Sequence, residues 1–373
     1  MIKNVLIVAG EVSGDIHSAN LINDLKKLNP NLRLYGIGGK RMEAQGVELL
    51  ENVENMSIIG VSEVFAKLKH IRQAFKKVLD KVSQAPPSIV ILVDYPGFNL
   101  RLARILKKKG LPIIYYITPQ VWAWGRSRVH HIKKYVDKAI VILKFEEELF
   151  KEYGIDATFV GHPLLDDKAH GTYDKIACGL DGKKATLALL PGSRKSEVSS
   201  LLPIMLQTIE LVAKEKELQF ILLRSTGVED ALYDKILKGS KLPIVSIKDD
   251  THKCLSLADF VFTSSGTATL ESAIMEKPML ITYKTSFLTA LLFKIFARTP
   301  FIGLVNIIAG RSVVPEILQY DAKPKRLASE ILSIITSKDR ADKQVEGLKE
   351  VKASLGTSGA SKRAAQIIDR FIT

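Results

Sequence analysis

A chain of 373 residues exceeds what one hydrophobic core usually organises and is natural for two domains. With 46% hydrophobic and 25% charged residues it reads as an ordinary soluble protein, and two distant cysteines, Cys178 and Cys254, argue against a disulfide framework or a Cys-rich zinc module. A net charge of +14 attracts nucleic acid, anionic lipid or phosphorylated substrates without choosing among them.

The opening apolar run, Met1 to Ala9, is too short for a signal peptide and meets Glu11 and Asp15 at once. No uninterrupted apolar run is long enough to span a bilayer, so a cytoplasmic protein is expected. Val5–Ala9 predicts a strand and Ile16–Leu28 a helix. Between them Gly10-Glu11-Val12-Ser13-Gly14-Asp15 occupies the place of a phosphate- or sugar-binding turn. A tight turn that simply needs glycine explains it equally well. The segment is not GxGxxG, and the next strand, Leu32–Ile37, offers Arg33 but no carboxylate for a ribose. Gly36-Ile37-Gly38-Gly39 is also incomplete as a fingerprint, so a dinucleotide site is not expected.

Over Ile58–Leu79, apolar Val61, Val64, Phe65, Leu68, Ile71, Phe75 and Val78 recur every three or four residues. Lys67, Lys69, His70, Arg72, Lys76 and Lys77 fill much of the remainder. The pattern predicts a core-packed helix with a basic outer face, or a helix lying on an anionic membrane surface. Ile89–Val93 is a β-branched strand followed by Asp94-Tyr95-Pro96-Gly97-Phe98-Asn99. A carboxylate at the carboxyl end of a buried strand is desolvated, which raises its pKa towards that of a usable base. An N-cap is the competing role, although Asn99 could serve the following helix itself.

Leu100–Lys109 predicts a helix closed by Gly110 and Pro112, and Ile113–Ile117 a strand. The loop after it, Thr118-Pro119-Gln120-Val121-Trp122-Ala123-Trp124, holds both tryptophans of the chain. Flat aromatic surface suits a sugar ring or acyl chain, and core packing is the alternative. Ala139–Leu143 and Glu146–Tyr153 continue as strand and helix. Strands alternating with helices imply parallel pairing through right-handed crossovers.

The pattern restarts beyond the polar stretch Asp166–Gly182. Strands are expected at Ala185–Leu190, Gln219–Arg224, Pro243–Ile247, Asp259–Thr263 and Met279–Tyr283, with a helix over Leu201–Lys214. Pro191-Gly192-Ser193-Arg194 forms a sharp bend with exposed N–H groups, and Arg194 adds a fork of donors suited to a diphosphate. Ser264-Ser265-Gly266-Thr267-Ala268-Thr269-Leu270-Glu271 runs from a strand into a helix. Backbone N–H groups at a helix start favour an anion, and Glu271 falls ~7 Å beyond it, within reach of ribose hydroxyls. Phe287–Phe296 could be buried or line an acyl groove. Asn306 to Arg311 reads as a surface loop, and Leu348–Ile372 as helix. No Asp-x-Asp and no histidine ligand spacing occur, so no metal is expected.

Ala9 to Asp15, Val93 to Asn99, Val121 to Trp124, Phe159-Val160-Gly161-His162-Pro163, Leu190 to Arg194, Ser265 to Ala268 and Asn306-Ile307-Ile308-Ala309-Gly310-Arg311 together resemble the lipid-A-disaccharide synthase family. They follow the family order and span nearly the whole chain. The resemblance implies an α/β protein of GT-B fold, two Rossmann-like domains whose parallel sheets face a central cleft. The divisions expected are an N-terminal acceptor domain over 1–165, a UDP-sugar domain over 166–345, and a helical segment, 346–373, crossing back to the first. It implies an inverting transfer from UDP-2,3-diacylglucosamine to the 6-hydroxyl of 2,3-diacylglucosamine 1-phosphate (lipid X), releasing UDP. Attachment to the inner face of the bacterial inner membrane, through its anionic surface, and dimers with exchanged C-terminal segments are implied as well.

By that resemblance Asp94 is the base and Arg194 stabilises the departing diphosphate. Gly192, Ser193, Ser265, Gly266, Thr267, Glu271, Asn306 and Arg311 hold the donor. Gly10, Glu11, Ser13, Gly14, Gln120 and Trp122 meet the acceptor sugar, while Val61, Val64, Phe65 and Leu68 dip into lipid. Some members carry a second Asp where this chain has Gly97, and a small hydroxyl where it has Gln120. No cofactor or nucleic-acid partner is implied. Another GT-B UDP-N-acetylglucosamine transferase or epimerase would share the donor turn but not the full motif order. A nucleic-acid-binding protein would need basic strands interleaved with aromatics, which the sequence lacks.

Overall fold

The computed structural model describes residues 3–53, 64–122, 127–166, 173–285 and 299–372, with backbone alone for residues 12 and 64–69. The chain divides into two compact units, residues 1–167 with 355–373 and residues 168–354. The second boundary therefore falls at 354/355, inside the segment whose periodicity predicts one helix over Leu348–Ile372. Two helices occupy that region, Lys338–Ser354 and Ala360–Ile372. The Gly356 and Gly359 backbones, at φ of +87° and +95°, separate them.

The first unit is a seven-stranded parallel sheet of order β3-β2-β1-β4-β5-β6-β7. Its strands are β1 (Lys3–Ala9), β2 (Leu32–Gly38), β3 (Glu48–Asn52), β4 (Ile89–Val93), β5 (Ile113–Tyr116), β6 (Lys138–Val141) and β7 (Ala157–Phe159). Helices α1 (Val12–Leu28), α2 (Lys40–Ala44), α3 (Val64–Gln84), α4 (Pro96–Lys108), α5 (Ser127–Tyr135) and α6 (Lys144–Glu152) connect them. The run Ile89-Val90-Ile91-Leu92-Val93 has no polar alternation because both faces of the sheet are covered. Val90 and Leu92 join the core containing Ala74, Val78 and Phe98, while Ile89, Ile91 and Val93 join the one containing Leu21, Ile22 and Leu25.

That second core is completed from the far end of the chain. Ala360, Ala364, Ile368 and Ile372 form an i, i+4 stripe on the helix Ala360–Ile372, which packs on α1. The Asp166 carboxylate holds its start, accepting N–H bonds from Gly359 (2.6 Å), Ala360 (3.1 Å) and Ser361 (3.0 Å). Along α3, Ile71, Ala74, Phe75, Val78 and Val82 pack into the core, and Phe75 meets the Phe98 ring at 4.5 Å. His70, Arg72, Lys76 and Lys77 are exposed on its outer side. Val61 and the side chains of Val64, Phe65 and Leu68 lie outside the described residues, as do Ala123, Trp124 and Phe287–Phe296. Among the described residues no helix is long and apolar enough to cross a membrane.

The second unit is a six-stranded parallel sheet of order β10-β9-β8-β11-β12-β13. It comprises β8 (Thr186–Leu190), β9 (Gln219–Arg224), β10 (Ile244–Lys248), β11 (Phe260–Thr263), β12 (Met279–Tyr283) and β13 (Glu316–Leu318). Its helices are α7 (Lys195–Glu215), α8 (Asp230–Leu237), α9 (Thr251–Leu257), α10 (Thr267–Ile274), α11 (Leu304–Ala309), α12 (Pro324–Ile335) and α13 (Lys338–Ser354). The helix Ala360–Ile372 of the first unit is α14. Each sheet has one topological switch point, β1/β4 in the first unit and β8/β11 in the second. Ligands of open α/β sheets bind at the carboxyl ends of strands there.

Candidate active site

At the β1/β4 switch point the backbone is strained. Asp94 and Tyr95 both have φ of +47°, and Ile117, at the end of the adjacent strand, has +57°. Such conformations cost roughly 1–3 kcal/mol each and persist only when the surroundings impose them. The Asp94 N–H donates to the Ile117 carbonyl (3.2 Å), while the Asp94 carbonyl accepts from the Tyr115 hydroxyl (2.6 Å) and Asn99 Nδ2 (2.7 Å). Asn99 is fully buried and its Nδ2 also reaches the Val93 carbonyl at 3.1 Å. It is therefore a clamp on the strand end rather than a helix cap. The cap position belongs to Tyr95, because Pro96 starts α4 four residues earlier than the apolar pattern implies.

These bonds fix the backbone and leave the half-buried carboxylate to the Tyr95 N–H. Burial raises the Asp94 acid to about 6, and the negative charge of Glu11 adds to the rise. Glu11 is at the N-cap position of α1 without a side-chain cap bond. Gly10 is required by close approach: a Cβ there would lie 2.1 Å from Cδ1 of the Tyr95 ring. The Gly10-Glu11 turn and the Asp94 loop are thus one locus. Ser13 is exposed on α1, and Gly14 is buried against Ala9.

Gln120 is exposed, whereas Trp122 is half-buried. Its Nε1 donates to Glu146 Oε1 (2.9 Å) and its ring meets Phe145 edge-on at 5.4 Å. Glu146 is buried and its acid is pushed up to about 7 by desolvation, against the stabilising Trp122 bond. Two further desolvated groups lie on α1 and in the segment after β7. His17 and His162 are both lowered to about 4, chiefly by burial.

In the second unit, Gly192, Ser193, Arg194, Ser265, Gly266, Thr267 and Glu271 line one hollow of about 350 Å³ at the β8/β11 switch point. Gly266 is the N-cap residue of α10 with φ of +149° and ψ of −162°, a region essentially reserved for glycine. Thr267 and Ala268, the first residues of α10, line the hollow, and the N–H groups of a helix's first turn suit an anion. The Ser265 hydroxyl is committed, donating to the Ile302 carbonyl at 2.8 Å.

The Pro-Gly-Ser-Arg bend differs from expectation. Two of its N–H groups are already engaged: Glu197 Oε2 accepts from Ser193 N (3.1 Å) and Arg194 N (3.3 Å). α7 starts at Lys195, not Leu201, and the Glu197 side chain, folded back onto the N-cap backbone, brings the chain's own anion to the helix end. The Tyr283 hydroxyl donates to the other oxygen at 3.3 Å. The Arg194 side chain remains 75% exposed, 3.8 Å from Glu197 Oε1. Arg224, Asp249 and Thr251, absent from the sequence reading, also line the hollow. Glu197 three residues after the N-cap was the available signal for the capping.

Asn306 and Arg311 do not line the hollow. The supposed loop is helix α11, ended by Gly310 at φ of +65°. Asn306 is fully buried and all four of its hydrogen-bonding valences are used. Nδ2 donates to the Val314 carbonyl (2.8 Å) and Glu316 Oε1 (2.7 Å), and Oδ1 accepts from Val313 N (2.7 Å) and Val314 N (3.0 Å). Arg311 is paired with Glu350 on α13, at the surface.

Comparison with known proteins agrees with this architecture. Solved structures similar over nearly the whole chain include a putative UDP-N-acetylglucosamine 2-epimerase from Listeria monocytogenes, with TM-score 0.65, 16% identity, and 99% and 96% of the two chains covered. The UDP-GlcNAc 2-epimerase from Neisseria meningitidis bound to UDP-GlcNAc gives TM-score 0.66 at 12% identity, covering 98% and 100%. These likenesses show the GT-B fold. The Lipid-A-disaccharide synthase of Syntrophus aciditrophicus (strain SB) is 42% identical over 368 residues, 97% of this chain and 96% of the relative. That of Geobacter sulfurreducens is 39% identical over 368 residues, covering 98% and 96%. The profile of the Lipid-A-disaccharide synthetase family matches residues 5–371. The chain belongs to this family and is a glycosyltransferase of lipid A biosynthesis.

Proposed function

We propose that the chain transfers 2,3-diacylglucosamine from UDP-2,3-diacylglucosamine to the 6-hydroxyl of lipid X, inverting the anomeric carbon. The products are the β-1,6-linked disaccharide 1-phosphate and UDP. Asp94 carries the reading: a partly desolvated carboxylate at a switch point, held on strained backbone, whose acid is raised to about 6. Such a group is ionised at neutral pH yet basic enough to take a proton. As the acceptor oxygen bonds to the anomeric carbon, its proton passes to Asp94. The bond from that carbon to the β-phosphate oxygen breaks, and its electron pair leaves with UDP. Attack opposite the leaving group inverts the centre.

The donor belongs at the start of α10. The α7 end already carries Glu197, whereas α10 starts on the hollow at Thr267 and Ala268 behind a glycine N-cap that has no side chain to cap it. Glu271, on the same hollow, suits the ribose, and Arg194 supplies positive charge to the departing diphosphate. The reading invokes no metal ion. Both substrates carry acyl chains, so the enzyme works as a peripheral protein on the inner membrane, with basic α3 facing anionic lipid. The test is to incubate the purified protein with both acylated substrates in detergent micelles. Stoichiometric UDP and disaccharide are expected. Absence of product, or turnover of UDP-N-acetylglucosamine in their place, would overturn the proposal.

A further inference from the structure

Asn306 touches no ligand-lining surface, yet its bonds lead back to the α10 turn. Its Nδ2 donates to Glu316 Oε1, which also accepts from Gly303 N at 3.0 Å. The other Glu316 oxygen accepts from Ile302 N at 2.9 Å. Three donors thus converge on one partly buried carboxylate at the start of β13. The Ile302 peptide is held from both ends, its N–H by Glu316 and its carbonyl by the Ser265 hydroxyl. Ser265 immediately precedes Gly266, the N-cap residue of α10, whose neighbours Thr267 and Ala268 line the hollow.

We propose that Asn306 and Glu316 are positioning residues for the nucleotide-diphosphate turn, acting through Ile302 on Ser265. This rests on the reading of α10 as the UDP site. One consequence is chemical. With its only hydrogen given to Ile302, the Ser265 oxygen can face a ligand only as an acceptor, so it suits a hydroxyl or N–H of the nucleotide and not a phosphate oxygen. The other consequence is that Asn306 governs donor affinity without contacting the donor.

The experiment is calorimetric titration of UDP into the full chain, with steady-state kinetics alongside. Glu316→Gln turns an NH₂ towards N–H donors and breaks the bridge. Its UDP Kd and nucleotide-sugar KM are expected to rise about tenfold, the worth of roughly one hydrogen bond, with kcat changed far less. Ser265→Ala should weaken UDP similarly, and the double variant should be no weaker than the weaker single, since both cut one bridge. Multiplicative losses in the double variant, or wild-type Kd in a folded Glu316→Gln protein, would overturn the proposal. Should Glu316→Gln fail to fold by circular dichroism, Asn306→Asp decides. It keeps the acceptor bonds but sets a carboxylate against Glu316, so a folded variant with weakened UDP supports the proposal and one with unchanged Kd overturns it. Wild-type protein that fails to bind UDP would instead sink the assignment of the α10 site.

Discussion

Asp94→Asn replaces the carboxylate by an amide of the same shape, and the structure predicts opposite effects on stability and turnover. Burial, then the Glu11 charge, raises the Asp94 acid from an ordinary 3.8 to about 6. The folded state therefore prefers this group neutral. A raised carboxyl pKa contributes favourably below the unfolded value, and the contribution is lost as pH climbs through the folded one. The two-unit rise corresponds to ~3 kcal/mol at pH 8, before relaxation reduces it. Asparagine stays neutral and is among the residues that best tolerate a φ of +47°. The variant should thus be more stable by ~1–3 kcal/mol at pH 8, shrinking to roughly 0.5 kcal/mol at pH 4. Turnover should fall by about 10²–10⁴-fold, the usual worth of a general base. Wild-type kcat/KM should drop tenfold per unit below about pH 6. Urea midpoints at both pH values and turnover at pH 8 test this. A less stable variant at pH 8, or an equal gain at both, refutes the desolvation argument. Near-normal turnover refutes the base.

Arg194→Ala should reduce kcat by about 10²–10³-fold, as for loss of one charge-stabilising group. Its exposure leaves little stability to lose, so an unchanged kcat or a large fall in midpoint would contradict the role. Half-buried His17 and buried His162 make the first unit acid-sensitive. Their folded pKa values are depressed to about 4, so stability is full above 6.5 and lost as pH falls towards 4. Each should cost ~2 kcal/mol at pH 5, and His17→Asn should flatten the urea-midpoint profile between pH 7 and 5. Asp166→Ala removes the acceptor of three N–H groups at the start of α14. A loss of ~1–2 kcal/mol is expected, with hydrogen exchange accelerating in α14 before α10. Equal protection in the variant would show that the cap is dispensable.

Continuous apolar runs were the most legible part of the fold. Ile89–Val93, Gln219–Arg224 and Met279–Tyr283 fall where their composition places them. Glu48–Asn52 did not announce itself, because Glu-Leu-Leu-Glu-Asn on a sheet edge has neither β-branching nor a clear alternation. The start of α7 was hidden by polar residues, which leave Val198 as the one core side chain before Leu201 and put the Glu197 capping bonds at its head. At the site, local chemistry was visible and its occupancy was not. Asp94 and the Gly266 turn lie at strand ends in plain sequence order. That Ser193 and Arg194 already have an acceptor depends on a side chain folding back, and that Asn306 is saturated depends on residues up to ten positions away.

The return of α14 to the first sheet has a consequence for biosynthesis. The second unit is one contiguous stretch, 168–354, whereas the first needs residues from 355 onward to cover α1. At about 5–20 residues per second, the ribosome adds the intervening ~190 residues in roughly 10–40 s. Throughout that interval the emerging amino-terminal half has Leu21, Ile22 and Leu25 without their α14 cover, while the later half can close its own core. The half made first is completed last, so the nascent chain exposes its chaperone- and aggregation-prone face on the part that has been outside the ribosome longest.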